Sequence, residues 1–408
     1  MNNKGNKSKE TKKSKITKFF NKILKGDKPK YTTWETIIFA IIIFGVGLIV
    51  GGIIIYSKSI NKSSLNEFIA TYDEIIDNYY QKIDKDKLLD AGIDGMIKYL
   101  GDPYSSYINK NDADDFNDGV NGTYQGIGAE VKYNENNLPT IGEVFKNTPA
   151  EKVGLKENDI ILKVNDIIVK DKSLAEIAEI VKGKSGTNVK LTILRGKEEK
   201  TFTITRGTVD NISVISEIIN SNNKKIGYIY ISVFASNTAK QFKEKLENLE
   251  KEKINSLIID VRGNTGGYLN VVTDIISMFI KKDEVIYKLK TKNKIDSITD
   301  KTIEYRTYPV AILADRGSAS ASELLIGAFS ETYNAKIIGE NTYGKGKVQK
   351  VFELSSGALL KYTYQEWLTP KGNYIDGVGI MPDINVKYEY ISDNRDTQKD
   401  KAIEILSK

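Results

Sequence analysis

Three serines at alternate positions, Ser318, Ser320 and Ser322, lie where an apolar run of strand length (Pro309 to Asp315) gives way to a helical pattern over Ala321 to Tyr333. A second short strand pattern, Ala335 to Gly339, leads to a lysine between glycines, Gly344-Lys345-Gly346, and then to Gln349. A serine hydroxyl attacks a carbonyl only when a base removes its proton. The chain contains no histidine and no cysteine. Ser-His-Asp and Cys-His catalysis are therefore excluded, together with zinc sites built on those ligands. Lysine is the alternative base for a serine nucleophile. A free lysine has a pKa near 10.4, so roughly one molecule in a few thousand is neutral at pH 7. Burial in an apolar pocket lowers that pKa by several units, and flanking glycines let other backbone approach closely.

The local pattern at Ser320 carries two readings. Ser320 with Glu323 three residues later fits a capping box, in which the serine closes the helix start. The same helix start offers free N–H groups and a positive dipole end, which suit a developing oxyanion. A second strand–turn–helix unit runs from Ser256 to Ile280, with Arg262-Gly263-Asn264-Thr265-Gly266-Gly267 at its turn. If the two strands are parallel neighbours, both turns fall at one sheet edge, and Gly266 or Gly267 can present an N–H to Ser320. The spacing of these glycines is not that of a dinucleotide fingerprint.

The remainder of the chain must position these residues. With 408 residues it is long enough for two or three domains. Its net charge of +6 is misleading: residues 1–30 hold 11 lysines against Glu10 and Asp27, a net of +9, so the rest is at −3. That balance is not a nucleic-acid-binding body. Thr36 to Tyr56 is a run of 21 uncharged residues with Trp34 and Tyr56 at its ends. This reads as an uncleaved transmembrane helix with interfacial anchors; the lysines before it keep the N-terminus cytoplasmic and place the body of the chain outside the cytoplasm. Leu65–Tyr80 and Lys85–Leu100 show apolar residues at helical spacing, and GDPYSSY over Gly101–Tyr107 reads as the turn that ends the second helix.

From about residue 120 to 207 the pattern changes to short strands with glycine punctuation. Gly126-Ile127-Gly128-Ala129 followed by TPAEKVGLKENDIILKVNDI (Thr148 to Ile167) and a helix at Leu174–Val181 resembles a PDZ domain. The resemblance implies that the loop Gln125, Gly126, Ile127, Gly128 and Ala129 captures the C-terminal carboxylate of a peptide added as a strand.

Six pieces together, GDPYSSY, the PDZ-like insertion, DVRGNTGG, RGSASASELLIGAF, GENTYGKGKVQ and LTPKGNYIDGVGIMPDI, occur in the order found in the C-terminal processing peptidases, the tail-specific serine proteases. The chain resembles that family over roughly residues 65–406. The resemblance implies Ser320 as nucleophile, Lys345 as general base, Gln349 as the residue that positions the lysine, and Ala321 with Gly266 or Gly267 as oxyanion hole. It also implies an α/β fold: a mixed sheet with flanking helices (a ClpP/crotonase-like core) carrying an inserted β-rich PDZ domain. The expected division is a lysine-rich tail over 1–35, a transmembrane helix over 36–56, a helical region over 57–118, the PDZ domain over 119–207 and the protease core over 208–408. No metal and no organic cofactor is expected. The expected partners are protein substrates bound through their C-terminal tails, the membrane, and a second copy of the chain through the N-terminal helices; nucleic acid is not among them. Lys182-Gly183 stands where the family often carries Arg-Gly linked to activation, and lysine keeps the charge but loses the bidentate geometry. The rival reading, a catalytically silent scaffold that binds C-terminal peptides, is opposed by the intact Ser320, Lys345 and Gln349 set.

Overall fold

The computed structural model describes residues 33–60, 63–392 and 395–408. The lysine-rich segment over 1–30 lies outside them. The chain divides into two compact units, Met1–Ala91 and Gly92–Lys408, so the boundary falls inside the helical region expected over 57–118.

In the first unit the uncharged run is part of one helix, Thr33–Ile60. Its side chains over 37–52 are nearly all exposed. Among the described residues no helix is long and apolar enough to cross a membrane; the side chain of Tyr56 is not among them. The helix Ser63–Asn78 leaves Leu65, Phe68 and Ile69 exposed along its apolar face.

The second unit is built on a six-stranded mixed sheet in the spatial order Val214–Ser221, Lys224–Ile231, Ser256–Asp260, Val310–Ala314, Lys336–Gly339, Ile384–Asn385. Only the first pair is antiparallel. The central strands Ser256–Asp260 and Val310–Ala314 are buried along their whole length, which is why they read as continuous apolar runs rather than alternating ones. Thr238–Lys251, Leu269–Ser277 and Ala321–Ala328 pack on one face through Phe242, Leu246, Val272, Ile276 and Leu325. Thr397–Leu406 covers the other face through Ala402 and Leu406.

The core departs from a single sheet. Ser106–Ile108, Lys347–Glu353, Leu359–Leu368, Val285–Lys290 and Ile295–Thr299 form a second, antiparallel sheet. Two further differences are local. Lys110–Asn121 is a helix with a thin apolar stripe, Ala113, Phe116 and Val120, and a cap at each end: Asn109 accepts from the N–H groups of Asn111 and Asp112, and Gly122 closes it at φ 71°. The helix after Ser320 is α-helical only to Ala328 and then widens into a π-turn over Phe329–Tyr333.

The insertion is a five-stranded antiparallel sheet with a short sixth strand, closed by Leu174–Val181 around Ile141, Ile161, Ile177, Leu191 and Ile204. Its ends leave together as a paired ribbon, Thr123–Gly126 against Gly207–Asp210.

Candidate active site

Parallel pairing of Leu257 with Val310 through Asp260 with Leu313 brings two turns to one edge of the sheet. Two side chains tie them. Asp315 Oδ1 accepts from the N–H groups of Gly263, Gly317 and Ser318. Asn264, fully buried, donates to Ile231 O, and its own carbonyl accepts from Ala319 N and Ser322 Oγ. Gly266 lies so close to the serine turn that a Cβ there would stand 2.9 Å from Ser320 Cβ and 3.1 Å from Ala321 N. A Cβ on Gly267 would strike Phe234 O at 2.2 Å. Gly266 N is already bonded to Asn264 Oδ1 (2.9 Å). By contrast, the N–H groups of Gly267 and Ala321 have no hydrogen-bond partner among the described residues.

The three serines are not equivalent. Ser318 and Ser322 are fully buried and spend their hydroxyls on Val261 O (2.8 Å) and Asn264 O (2.7 Å). Ser320 alone is partly exposed. Its backbone, φ 55° and ψ −113°, is not the extended conformation of an ordinary N-cap. Among the described non-glycine residues with positive φ, only Lys253 and Ser320 are neither asparagine nor aspartate. Such strain persists where the surroundings over-determine it, as at the strand-to-helix turn that presents a nucleophilic serine.

Glu323 is the residue whose importance a reading of spacing understates. It is fully buried. Its Oε2 accepts from Ser320 N (2.8 Å) and Lys345 N (2.8 Å), and its Oε1 from Gly344 N (2.6 Å) and Thr342 Oγ1 (2.6 Å). One carboxylate thus clamps the serine turn to the lysine loop. A capping-box glutamate was visible in sequence; its reach to residues 342–345 was not.

Lys345 is held by its backbone. Its carbonyl accepts from the Trp367 indole (3.0 Å). Gly344 packs under Val378 and Gly379, and Gly346 under Asp376, so that a Cβ on either would approach backbone to 2.9–3.0 Å. Burial pushes the Lys345 amine below its ordinary pKa, and neighbouring Lys361 adds to the shift against the opposing pull of Asp102 and Glu323. The ammonium lies 4.6 Å from the centre of the Tyr104 ring, on the Gly101–Ser105 loop. No hydrogen bond joins Lys345 Nζ to Ser320 Oγ among the described residues. Gln349 does not reach Lys345: its amide donates to Thr363 Oγ1 (3.2 Å). Thr363 N in turn donates to Ser105 Oγ (3.1 Å), and Ser105 bonds the Asp102 carboxylate, which also accepts from Tyr104 N. The loop over Lys345 is thereby pinned to Leu359–Leu368, the strand paired with the one that carries Gln349.

In the insertion a groove of about 360 Å³ runs between Ala129–Tyr133 and Leu174–Val181, with Gly126, Ile127, Gly128 and Ala129 at its head and Leu174 and Ala178 along its wall. The N–H groups of Ile127 and Gly128 have no partner among the described residues. Gln125 stands apart from this groove. Its side chain bridges Asp118 Oδ2 (2.8 Å) and Ser185 N (2.8 Å), and Tyr124 lines the groove instead. Lys182 borders the groove. Arg206, close by, is fully committed to Ile180 O, Val181 O, Thr187 Oγ1 and Asn188 O.

Comparison with known proteins agrees with this layout. Residues 225–386 match Peptidase family S41, residues 125–205 a PDZ domain, and residues 56–112 the Activating protease CtpB N-terminal domain. A Probable CtpA-like serine protease of Staphylococcus haemolyticus is 36% identical over 89% of this chain and 75% of that protein. Its counterpart in Staphylococcus aureus strain COL is 38% identical over 81% and 67% respectively. The solved photosystem II D1 C-terminal processing protease shares the fold, with a TM-score of 0.50 at 24% identity over 86% of this chain and 93% of that one. The chain belongs to peptidase family S41, as a serine-type C-terminal processing peptidase with a PDZ domain.

Proposed function

We propose that the protein is a membrane-anchored endopeptidase that cleaves extracytoplasmic proteins near their C-termini by a Ser320–Lys345 dyad, the tail being recruited by the PDZ domain. The observation that carries this reading is the Glu323 clamp, which joins a strained, accessible Ser320 to a lysine loop whose amine is depressed by burial. Neutral Lys345 takes the proton as Ser320 Oγ attacks the scissile carbonyl, and the lysine returns it to the leaving amine. Ala321 N and Gly267 N, which have no hydrogen-bond partner among the described residues, stabilise the oxyanion; Gly266 N is occupied by Asn264 and serves through its lack of a side chain. Gln349 acts through Thr363 and the Gly101–Ser105 loop rather than on the lysine itself. The free N–H groups of Ile127 and Gly128 hold the substrate carboxylate.

The uncharged run within the Thr33–Ile60 helix, preceded by the basic segment, supports a single cell-membrane anchor with a cytoplasmic N-terminus. The exposed apolar face of Ser63–Asn78 supports a homodimer formed through the N-terminal helices. The division 1–35, 36–56, 57–118, 119–207 and 208–408 follows the change of role along the chain.

Ser320→Ala and Lys345→Ala are each expected to abolish hydrolysis of an unfolded protein while leaving the fold intact, and Lys345→Arg to fail as well, since guanidinium stays protonated. Wild-type kcat/KM rises with pH through one ionisation below the ordinary lysine range, because the base works only when neutral. Wild-type turnover by Lys345→Ala overturns the dyad.

A further inference from the structure

We propose that Tyr104 is a positioning residue that latches Lys345: its ring holds the lysine as ammonium, unbonded to Ser320, until substrate displaces the contact. The proposal rests on the reading of Lys345 as general base. Three geometric observations carry it. Lys345 Nζ sits 4.6 Å from the Tyr104 ring centre, within the range where a ring face attracts a cation. The same nitrogen makes no hydrogen bond to Ser320 Oγ among the described residues, although Glu323 fixes both backbones to one carboxylate. The loop that presents the ring is itself fixed. Tyr104 N donates to Asp102 Oδ1, Ser105 Oγ to Asp102 Oδ2, and Thr363 N to Ser105 Oγ.

A ring face attracts an ammonium and not a neutral amine, so this contact favours the form of Lys345 that cannot accept a proton. It therefore opposes the lowering produced by burial and Lys361, on the same side as Asp102 and Glu323. The Tyr104 phenol stays neutral through this range: burial and neighbouring Tyr343, with Asp376 and Asp102 nearby, push its pKa up. The ring is consequently a constant partner, and the lysine is the group that changes state. Closing the dyad requires Nζ to exchange the ring for the Ser320 hydroxyl. An acyl group arriving at Ser320 favours that exchange by removing water from around the amine.

The test uses the full-length chain with an unfolded fluorescent protein as substrate, reading kcat/KM from pH 6 to pH 10. Tyr104→Leu keeps bulk over the lysine but removes the ring face. Loss of the cation–π term is expected to shift the apparent lysine ionisation down by about half to one pH unit. Below that ionisation, kcat/KM then rises about three- to tenfold, the fold-change equivalent to the same shift. Tyr104→Phe, which keeps the ring, is expected to leave the ionisation at its wild-type position. An ionisation that does not move in Tyr104→Leu overturns the latch. So does a loss of rate in Tyr104→Leu with unchanged thermal unfolding, since the ring would then assist the base. Lys345→Ala, run alongside, separates the two ideas. An inactive Lys345→Ala with an unmoved Tyr104→Leu profile sinks the latch alone, whereas an active Lys345→Ala sinks the dyad on which it rests.

Discussion

Replacing Glu323 by glutamine removes a charge and almost no volume, so its effect isolates the clamp between the two loops. The carboxylate accepts four hydrogen bonds, two at each oxygen. A glutamine has one acceptor oxygen and one NH2. In its better orientation the oxygen keeps Ser320 N and Lys345 N, and the NH2 turns to Thr342 Oγ1. Gly344 N then faces another donor and is left unsatisfied at a buried position. Bonds to a charged group contribute about 1.5–3 kcal/mol each and neutral ones about 0.5–1.5, while a stranded buried donor costs about 1–3. The three weakened bonds and one stranded N–H together come to about 4–7 kcal/mol. Part of this appears as a lower urea midpoint. The part that lets Ser320 and Lys345 drift appears in turnover, where each 1.36 kcal/mol is tenfold. Glu323→Gln is therefore expected to unfold at lower urea and, under conditions where it is fully folded, to show kcat reduced about 10- to 100-fold with a smaller change in KM. A variant with wild-type urea midpoint and wild-type kcat would refute the clamp.

The neighbouring serines provide the contrast: Ser322→Ala loses its bond to Asn264 O, and Ser318→Ala its bond to Val261 O and the one it accepts from Asp315 N, about 1–3 kcal/mol of stability by thermal unfolding, yet both retain hydrolysis because neither hydroxyl faces the site. In Ser320→Ala, peptides with a free apolar C-terminus are expected to bind by fluorescence anisotropy and their amidated forms at least tenfold more weakly; equal affinity would remove carboxylate capture from the Ile127–Gly128 loop. Protease added to wall-stripped intact cells should digest the chain beyond Tyr56 and spare its N-terminus, and protection of the catalytic body would reverse the topology.

What sequence made legible follows a physical division. The two strand–turn–helix units were visible because fully buried parallel strands read as short apolar runs bounded by glycine and serine, and the Leu174–Val181 helix because its apolar residues recur on one face. Ser320, Ala321 and the Gly266–Gly267 pair lie at those turns, but their roles rest on the family resemblance. The helix Lys110–Asn121 escaped because its apolar face is only Ala113, Phe116 and Val120 amid charged and amide residues. Strands of the second sheet escaped because their alternation is short or broken, by Ile286 beside Tyr287 in one and by Glu366 after Tyr362 and Tyr364 in another. Contacts between distant segments leave no local pattern at all. Tyr104 over Lys345 and Glu323 bonded to Gly344 are pairings of that kind, and the side chain of Gln125, placed in the peptide loop by the PDZ resemblance, turns to Asp118.

The ribbon Thr123–Gly126 against Gly207–Asp210 has a consequence for how the chain folds. Without it, the helix ending at Asn121 and the strand beginning at Val214 would be joined by a loop of roughly 90 residues. Once the insertion has folded, its two ends stand side by side, and Asn211 N donates to Gly122 O across the ribbon's base. Shrinking that loop to a few residues saves about 3 kcal/mol of closure entropy by the logarithmic scaling of loop cost. The insertion's contacts are the more local in sequence, so it is the part able to form first. It then acts as a splice that delivers the two halves of the core to each other, and substitutions that loosen Ile141, Ile177 or Leu191 should slow assembly of a catalytic sheet they never touch.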